Sequence, residues 1–341
     1  MINEDVLHVI NMYTKYAHDV SIDKQFILDE LKELFFEENS DYIIQNIDYF
    51  FDYINTPRQS LWNSSKTQEN ANDRINILLN KEQPDQRTDE WYKYRYNMLT
   101  ASSLWKIFKS DSSRRELIES KKKPLDLQKY KSVNTESTLH WGHKYEPLSV
   151  LFYEDMFNTT IGDFGCIKHS QYDFIGASPD GINIKKEHPL HGRMLEIKNI
   201  VNRTIDGIPK YEYWIQMQLQ MEVCDLDYCD FLECKFIEYN SYQDYVSDGS
   251  SFNHTRNNMI KGTIVQLFNG IEPLYFYPPL NISQSEFELW KTKVIEENTN
   301  CSWIQDIYWH LDEYSCILVE RNKEWFTQSI NDIRDIWLKI I

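Results

Sequence analysis

The chain has 341 residues, 41% of them hydrophobic, with ten Gly and ten Pro; that is enough for a substantial core and excludes a disordered or fibrous class. A formal net charge of −17 argues against a protein that coats nucleic acid through a uniformly basic surface. No stretch approaches the roughly 18 apolar residues of a membrane helix, and the N-terminal MINEDVLHVINMYTKY carries early acids where a secretory leader is basic, so an intracellular, non-secreted protein is expected.

Residues 3–55 read as helices: Val6, Ile10, Tyr13 and Tyr16 recur at helical spacing, and so do Phe26, Ile27, Leu31, Leu34 and Phe35. The polar run 63–70 reads as a linker. A boundary is placed near 84, which divides the chain into an acidic helical N-terminal extension, 1–84, and a second domain, 85–341. Within the latter, helices are expected over 90–96 and 100–108, the second capped by Thr100 or Ser102, and over 146–156. Short apolar runs at 160–168, 174–177, 182–185 and 193–199 read as strands. They are followed by a helix at 210–223 and an alternating strand at 228–239. The remainder, 239–341, is an α/β elaboration with helices near 284–297 and 322–340. The predicted class is α/β, a mixed sheet flanked by helices.

Charge is unevenly spread. Residues 1–85 hold 7 Lys/Arg against 16 Asp/Glu, 86–144 hold 13 against 7, and 271–341 hold 6 against 12. Any phosphate-facing surface is therefore expected in 86–144. There, the run Lys121-Lys122-Lys123 either touches phosphates or lies on a solvated face. The six cysteines form no CxxC pair; reduced, mostly buried thiols are the simpler reading.

The chemistry concentrates in Ser178-Pro179-Asp180-Gly181 and Glu196-Ile197-Lys198. Strand side chains alternate, so Glu196 and Lys198 share a face and Ile197 points into the core. Asp180 ends a strand at a Pro/Gly turn, and the intervening segment containing His188-Pro189 and Gly192 reads as a hairpin. Two carboxylates and a backbone carbonyl suit Mg²⁺, which would activate water against a phosphodiester; Lys198 would stabilise the charge that develops. The plain alternative is a turn beside a surface ion pair.

Five ordered blocks add to this. They are Glu90-Trp91-Tyr92-Lys93-Tyr94-Arg95 continuing to Leu99-Thr100-Ala101-Ser102; Trp141-Gly142-His143-Lys144-Tyr145-Glu146; Ala177 to Gly181; Leu195 to Lys198; and Tyr213-Trp214-Ile215-Gln216-Met217-Gln218. Over 86–238 the sequence resembles the lambda exonuclease and YqaJ viral recombinase family of PD-(D/E)xK nucleases. The resemblance implies a restriction-endonuclease-like core and Mg²⁺ or Mn²⁺ as cofactor, two ions in number. It implies Asp180, Glu196, the Ile197 carbonyl and Glu146 as metal ligands, Lys198 as the catalytic lysine and Gln216 facing the active site. Arg95, Ser102 and Ser178 match positions that bind a terminal 5′-phosphate. Glu146 could instead be an acid favoured by a helix start, Gln216 a solvated helix residue, Arg95 a surface ion pair, Ser102 an N-cap and Ser178 a turn residue. His143, His188 and His191 are read as loop and turn residues rather than ligands.

Where the family has glycine soon after the opening arginine, this chain has Asn97, which tolerates positive φ; where it has proline after the lysine, Asn199-Ile200-Val201 follows. The implied activity is 5′→3′ digestion of linear duplex DNA in viral recombination or replication, in the host cytoplasm or at a viral replication site. A single-strand annealing recombinase is the implied partner, and a ring trimer the family's assembly. An endonuclease on DNA or RNA of the alkaline-nuclease or host-shutoff type, and a catalytically inactive nucleic-acid-binding module, are the alternatives.

Overall fold

The structure is a computed structural model that describes residues 66–127 and 134–341, together with Asp29 and Leu31. The expected helices of 3–55 and the first part of the 63–70 run lie outside the described residues, apart from helical Asp29 and Leu31. From Lys66 onward the supposed linker is tied down. Gln68 is buried; it donates to Asp227 Oδ2 at 2.9 Å and accepts from the Asp227 amide at 2.7 Å. A polar side chain that finds both partners in the fold can be buried without penalty, which composition alone could not reveal. Helix α1 (Ala71–Leu79) follows and places Ile75 and Leu78 in the main core beside Leu31.

The order is then α2 (Asp89–Tyr96), β1 (Leu99–Thr100), α3 (Ala101–Leu104), α4 (Lys106–Lys109), α5 (Asp111–Lys122) and α6 (Thr138–Phe157). Strands β2 (Ile161–Gly162), β3 (Ile167–Lys168), β4 (Ile175–Ala177), β5 (Gly181–Asn183) and β6 (Met194–Asn199) lead to α7 (Tyr211–Cys224) and β7 (Tyr228–Glu238). The rest comprises α8 (Tyr242–Ser247), β8 (Lys261–Phe268), β9 (Pro273–Phe276), α9 (Gln284–Glu297), β10 (Ser302–Glu320) and α10 (Lys323–Leu338).

Seven strands form one sheet in the order β2-β5-β6-β7-β10-β8-β9. Only β6 and β7 run parallel in it, joined by the α7 crossover; the other neighbours are antiparallel. A small sheet, β1-β4-β3, stands beside it. This is the expected mixed α/β sheet flanked by helices. Helix α6 covers one face, where Tyr145, Leu148, Phe152 and Tyr153 meet Leu195, Ile197, Leu232 and Phe236. Helix α7 covers the other, where Met217, Leu219 and Met221 join a core with Met194, Phe231 and Ile317. Each large apolar side chain so buried contributes about 1.5–3 kcal/mol.

Several elements differ from expectation. Helix α6 begins at Thr138, capped by Ser137, whose Oγ accepts from the His140 amide at 3.1 Å. His143 is therefore helical, not in a loop, whereas His188 and His191 do sit in the β5–β6 turn. The predicted helix over 100–108 is two short pieces, and Thr100 stands at the first one's N-cap without a side-chain capping bond. Asn97 keeps an ordinary φ of −82°, so no left-handed residue is needed there.

Candidate active site

Strand β6 builds the centre. Alternation turns Met194, Glu196 and Lys198 toward α7, and Ile197 toward α6, as the two cores show. Glu196 has no exposed surface. Its Oε1 accepts from Gln216 Nε2 at 2.7 Å and from Lys198 Nζ, and its Oε2 accepts from Gln220 Nε2 at 2.8 Å. Asp180 leaves the β4 turn just before Gly181, which pairs with Leu195. Its Oδ2 accepts from the Ile197 amide at 2.7 Å. That bond joins the two sequence motifs across the strands. Gly181 makes room on its other side for β2: a Cβ there would stand 2.2 Å from Ile161 Cγ2.

Buried carboxylates that repel one another hold their protons more tightly. Burial first, then Glu196 and Glu146, pushes the Asp180 carboxyl well above the ordinary carboxylate range. Glu146 is raised chiefly by burial, with Arg87 opposing and Glu196 adding to the rise. For Lys198, burial favours the neutral amine, but Glu196 and Asp180 outweigh it and raise its pKa. The ammonium form is therefore the stable one.

Glu146 projects from the third turn of α6, too far from the helix start for the dipole account of its acidity. It lines an open cleft of roughly 490 Å³ together with Asp85, Gln86, Arg87, Asp163, Asp180 and Tyr277. Arg87 Nη2 donates to both Glu146 oxygens, at 3.1 and 2.9 Å. Neither Arg87 nor Asp163 belongs to the motif residues; each reaches the cleft through a fold contact that leaves no spacing signal. Gln220 was legible in principle, since it lies four residues after Gln216 and so on the same helix face. Gln218, inside the Tyr213–Gln218 block, points away: it donates to the Glu320 carbonyl at 2.9 Å and accepts from the Asn322 amide at 2.6 Å.

The second predicted group also converges. Arg95 Nη1 donates to Ser178 Oγ at 3.2 Å, and Nη2 donates to Ser102 Oγ at 3.0 Å. The guanidinium lies 4.1 Å over the Trp91 ring, whose indole N–H also donates to Ser178 Oγ at 3.3 Å. One guanidinium and two hydroxyls thus meet, and Ser178 stands two residues before Asp180 in the chain. The run Lys121–Lys123 divides: Lys121 turns inward and donates to the carbonyls of Arg95 at 2.8 Å and Tyr96 at 3.3 Å, while Lys122 and Lys123 are exposed.

Among the described residues no three carboxylate, imidazole or thiol side chains form a ready ligand set. Asp180 faces the Ile197 amide, Glu196 faces Lys198 and two amides, and Glu146 faces Arg87. The donor chemistry nevertheless fits a hard divalent cation. Oxygen donors converge, and three carboxylates, Asp180, Glu196 and Glu146, have two cations, Lys198 and Arg87, beside them.

Residues 90–227 match the YqaJ-like viral recombinase domain. The matched range spans all five sequence blocks, from Glu90 to Gln218. The chain is also 32% identical over 304 residues to an uncharacterized protein, R354, of Acanthamoeba polyphaga mimivirus; the match covers 78% of this chain and 54% of that protein, about half its length. Among solved structures, an alkaline exonuclease of Laribacter hongkongensis is 18% identical with a TM-score of 0.44, covering 74% of this chain and 92% of its own. A phage-related exonuclease of Haemophilus somnus is 13% identical with a TM-score of 0.37, covering 71% and 93%. Among the described residues no helix is long and apolar enough to cross a membrane.

Proposed function

We propose that this chain is a Mg²⁺-dependent nuclease that digests linear duplex DNA from a 5′ end. The YqaJ-like viral recombinase match supports a DNA-acting nuclease. The observation that carries the directional reading is the convergence of Arg95, Ser102 and Ser178, the last of them two residues before Asp180 in the chain. A terminal phosphate carries up to two charges, which an arginine fork and hydroxyl donors can hold. Asp180, Glu196, the Ile197 carbonyl and Glu146 are the residues that would hold the cation. Bound Mg²⁺ would polarise the phosphate and acidify a water.

The chain's own groups supply the rest. Gln216 and Gln220 each donate to a different Glu196 oxygen and fix the carboxylate plane. Lys198, kept protonated by Glu196 and Asp180, serves as a positive donor to developing phosphate charge rather than as a base. Its ammonium lies 5.0 Å over the Tyr213 ring, which limits where it can swing.

The test compares 5′-phosphorylated with 5′-hydroxyl linear duplex in Mg²⁺. The phosphorylated substrate should be degraded faster, and Arg95→Ala should abolish the difference while residual cleavage persists. Equal rates on both ends, or ready cutting of covalently closed circles or of RNA, would replace this reading with an endonuclease. No degradation of any nucleic acid with Mg²⁺ or Mn²⁺ would leave a binding module.

A further inference from the structure

Arg87 has a left-handed backbone, φ 67°. Six described non-glycine residues share that region, and four of them are Asn70, Asn158, Asp225 and Asn258, types whose short polar side chains tolerate it. A long side chain gains nothing locally from that conformation, so the surrounding structure must impose it. Here it does so from both sides. Gln86 donates to the carbonyls of Phe164 at 3.0 Å and Pro179 at 3.3 Å, and Thr88 caps α2 while its Oγ1 donates to the Asp85 carbonyl at 2.8 Å. The turn is thereby pinned next to Asp180, and its twist sends Arg87 into the cleft. Among the residues lining that cleft Arg87 is the one cation, facing Asp85, Glu146, Asp163 and Asp180.

We infer that Arg87 is a substrate-binding residue gated by Glu146: it holds the carboxylate as a counter-ion until a divalent cation takes that carboxylate, and the released guanidinium then holds a phosphate of the substrate strand. This rests on the metal-dependent reading above. The chemistry requires an exchange. Glu146 Oε1 and Oε2 both accept from Arg87 Nη2, so a cation that coordinates Glu146 competes with the guanidinium for the same lone pairs. The Arg87 side chain is 43% exposed, which gives it room to leave. Once displaced it stays at the mouth of an otherwise acidic cleft, the place where an anionic strand most needs a cation.

The test uses the full chain and Ca²⁺, which binds oxygen sites without requiring turnover. Ca²⁺ affinity is measured by calorimetry, and duplex binding at several salt concentrations in saturating Ca²⁺, for wild type, Arg87→Ala, Arg87→Gly and Arg87→Lys. Both truncations should bind Ca²⁺ severalfold more tightly and duplex severalfold more weakly, with a salt slope smaller by about one. Arg87→Lys should restore most duplex binding. Arg87→Gly relieves the backbone and should melt no lower than wild type, so lost folding cannot imitate the result. Unchanged Ca²⁺ and duplex affinities in both truncations would reduce Arg87 to a structural ion pair and overturn the inference. Failure of the wild type itself to bind Ca²⁺ would overturn the metal reading and this inference together.

Discussion

Two acidic clusters border α7, one at its C-terminal end and one beside Gln216 and Gln220; they are built from the same residue types, yet their carboxyls are shifted in opposite directions. At its C-terminal end, Glu222, Asp225 and Asp227 meet Arg74, Arg321 and Lys323. Arg321 pairs with Glu222 at 2.7 Å, with Asp225 at 2.8 Å and with Asp227 at 3.6 Å, while Arg74 holds Asp227 at 2.8 Å. Burial there is outweighed: His169 and Arg321 hold Glu222 below its ordinary range, and Gln68 and Arg74 do the same for Asp227. At the other cluster, Asp180, Glu196 and Glu146 have Lys198 and Arg87 for partners, and Asp180 and Glu146 are raised. The first cluster is a neutralised clasp that ties α1 and the start of α10 to the α7–β7 turn. The second carries a deficit of positive charge that its own residues do not fill. A count of acidic residues would not tell the two apart; their counter-ions do.

The comparison can be broken most sharply at Asp180 and Glu196. Asp180→Asn or Glu196→Gln should lower nuclease activity by on the order of 10³-fold or more, because the amide keeps the shape and loses the ligand charge. Without divalent ions, Asp180→Asn should melt no lower than wild type, since it removes a buried repulsion. Full activity in either purified variant would end the site assignment. Lys198→Ala follows, with a loss on the order of 10²–10³ in rate; a loss below about threefold would make the lysine structural.

Arg321→Ala tests the clasp. The Arg321 side chain is 7% exposed, and its removal strands partly buried carboxylates, which costs about 3–5 kcal/mol in buried pairs. The urea midpoint should fall by a corresponding amount, while the molecules still folded keep wild-type activity. A midpoint shift equivalent to less than about 0.5 kcal/mol, typical of a neutral surface change, would mean that Arg74 and Lys323 suffice.

The smallest effect concerns Lys121. Burial, helped by the nearby Arg95, pushes its amine down to about 8 from the ordinary lysine value of 10.5. Between those pH values the unfolded chain binds more protons than the native one, so this group makes stability rise with pH across the window. The change in urea midpoint from pH 8 to pH 10 should therefore be more positive for wild type than for Lys121→Met. Identical pH dependence in the two proteins would place the Lys121 amine in solvent.

The sequence by itself determined the local pattern and the chemistry of the centre. Alternation in 193–199 put Glu196 and Lys198 on one face, the Pro179–Gly181 turn placed Asp180 in the turn that follows a strand, and helical periodicity located α2, α7, α9 and α10 within a few residues. These features were legible because each rests on neighbours within one or two turns of chain. The long strand β10 was not. Its pairing shifts register between Trp303 and Gln305 and again between Leu311 and Glu313; its second half, Ser315 to Val319, is buried throughout, so no period of two survives. Helix α6 was read eight residues short at its start, which lies at Thr138. Only the tertiary structure brought Gln68 to Asp227, Gln220 to Glu196 and Arg87 to Glu146, across 159, 24 and 59 residues of chain. Those contacts depend on where the sheet, α6 and α7 leave each side chain, and they set which acids are neutralised and which are left to attract a cation.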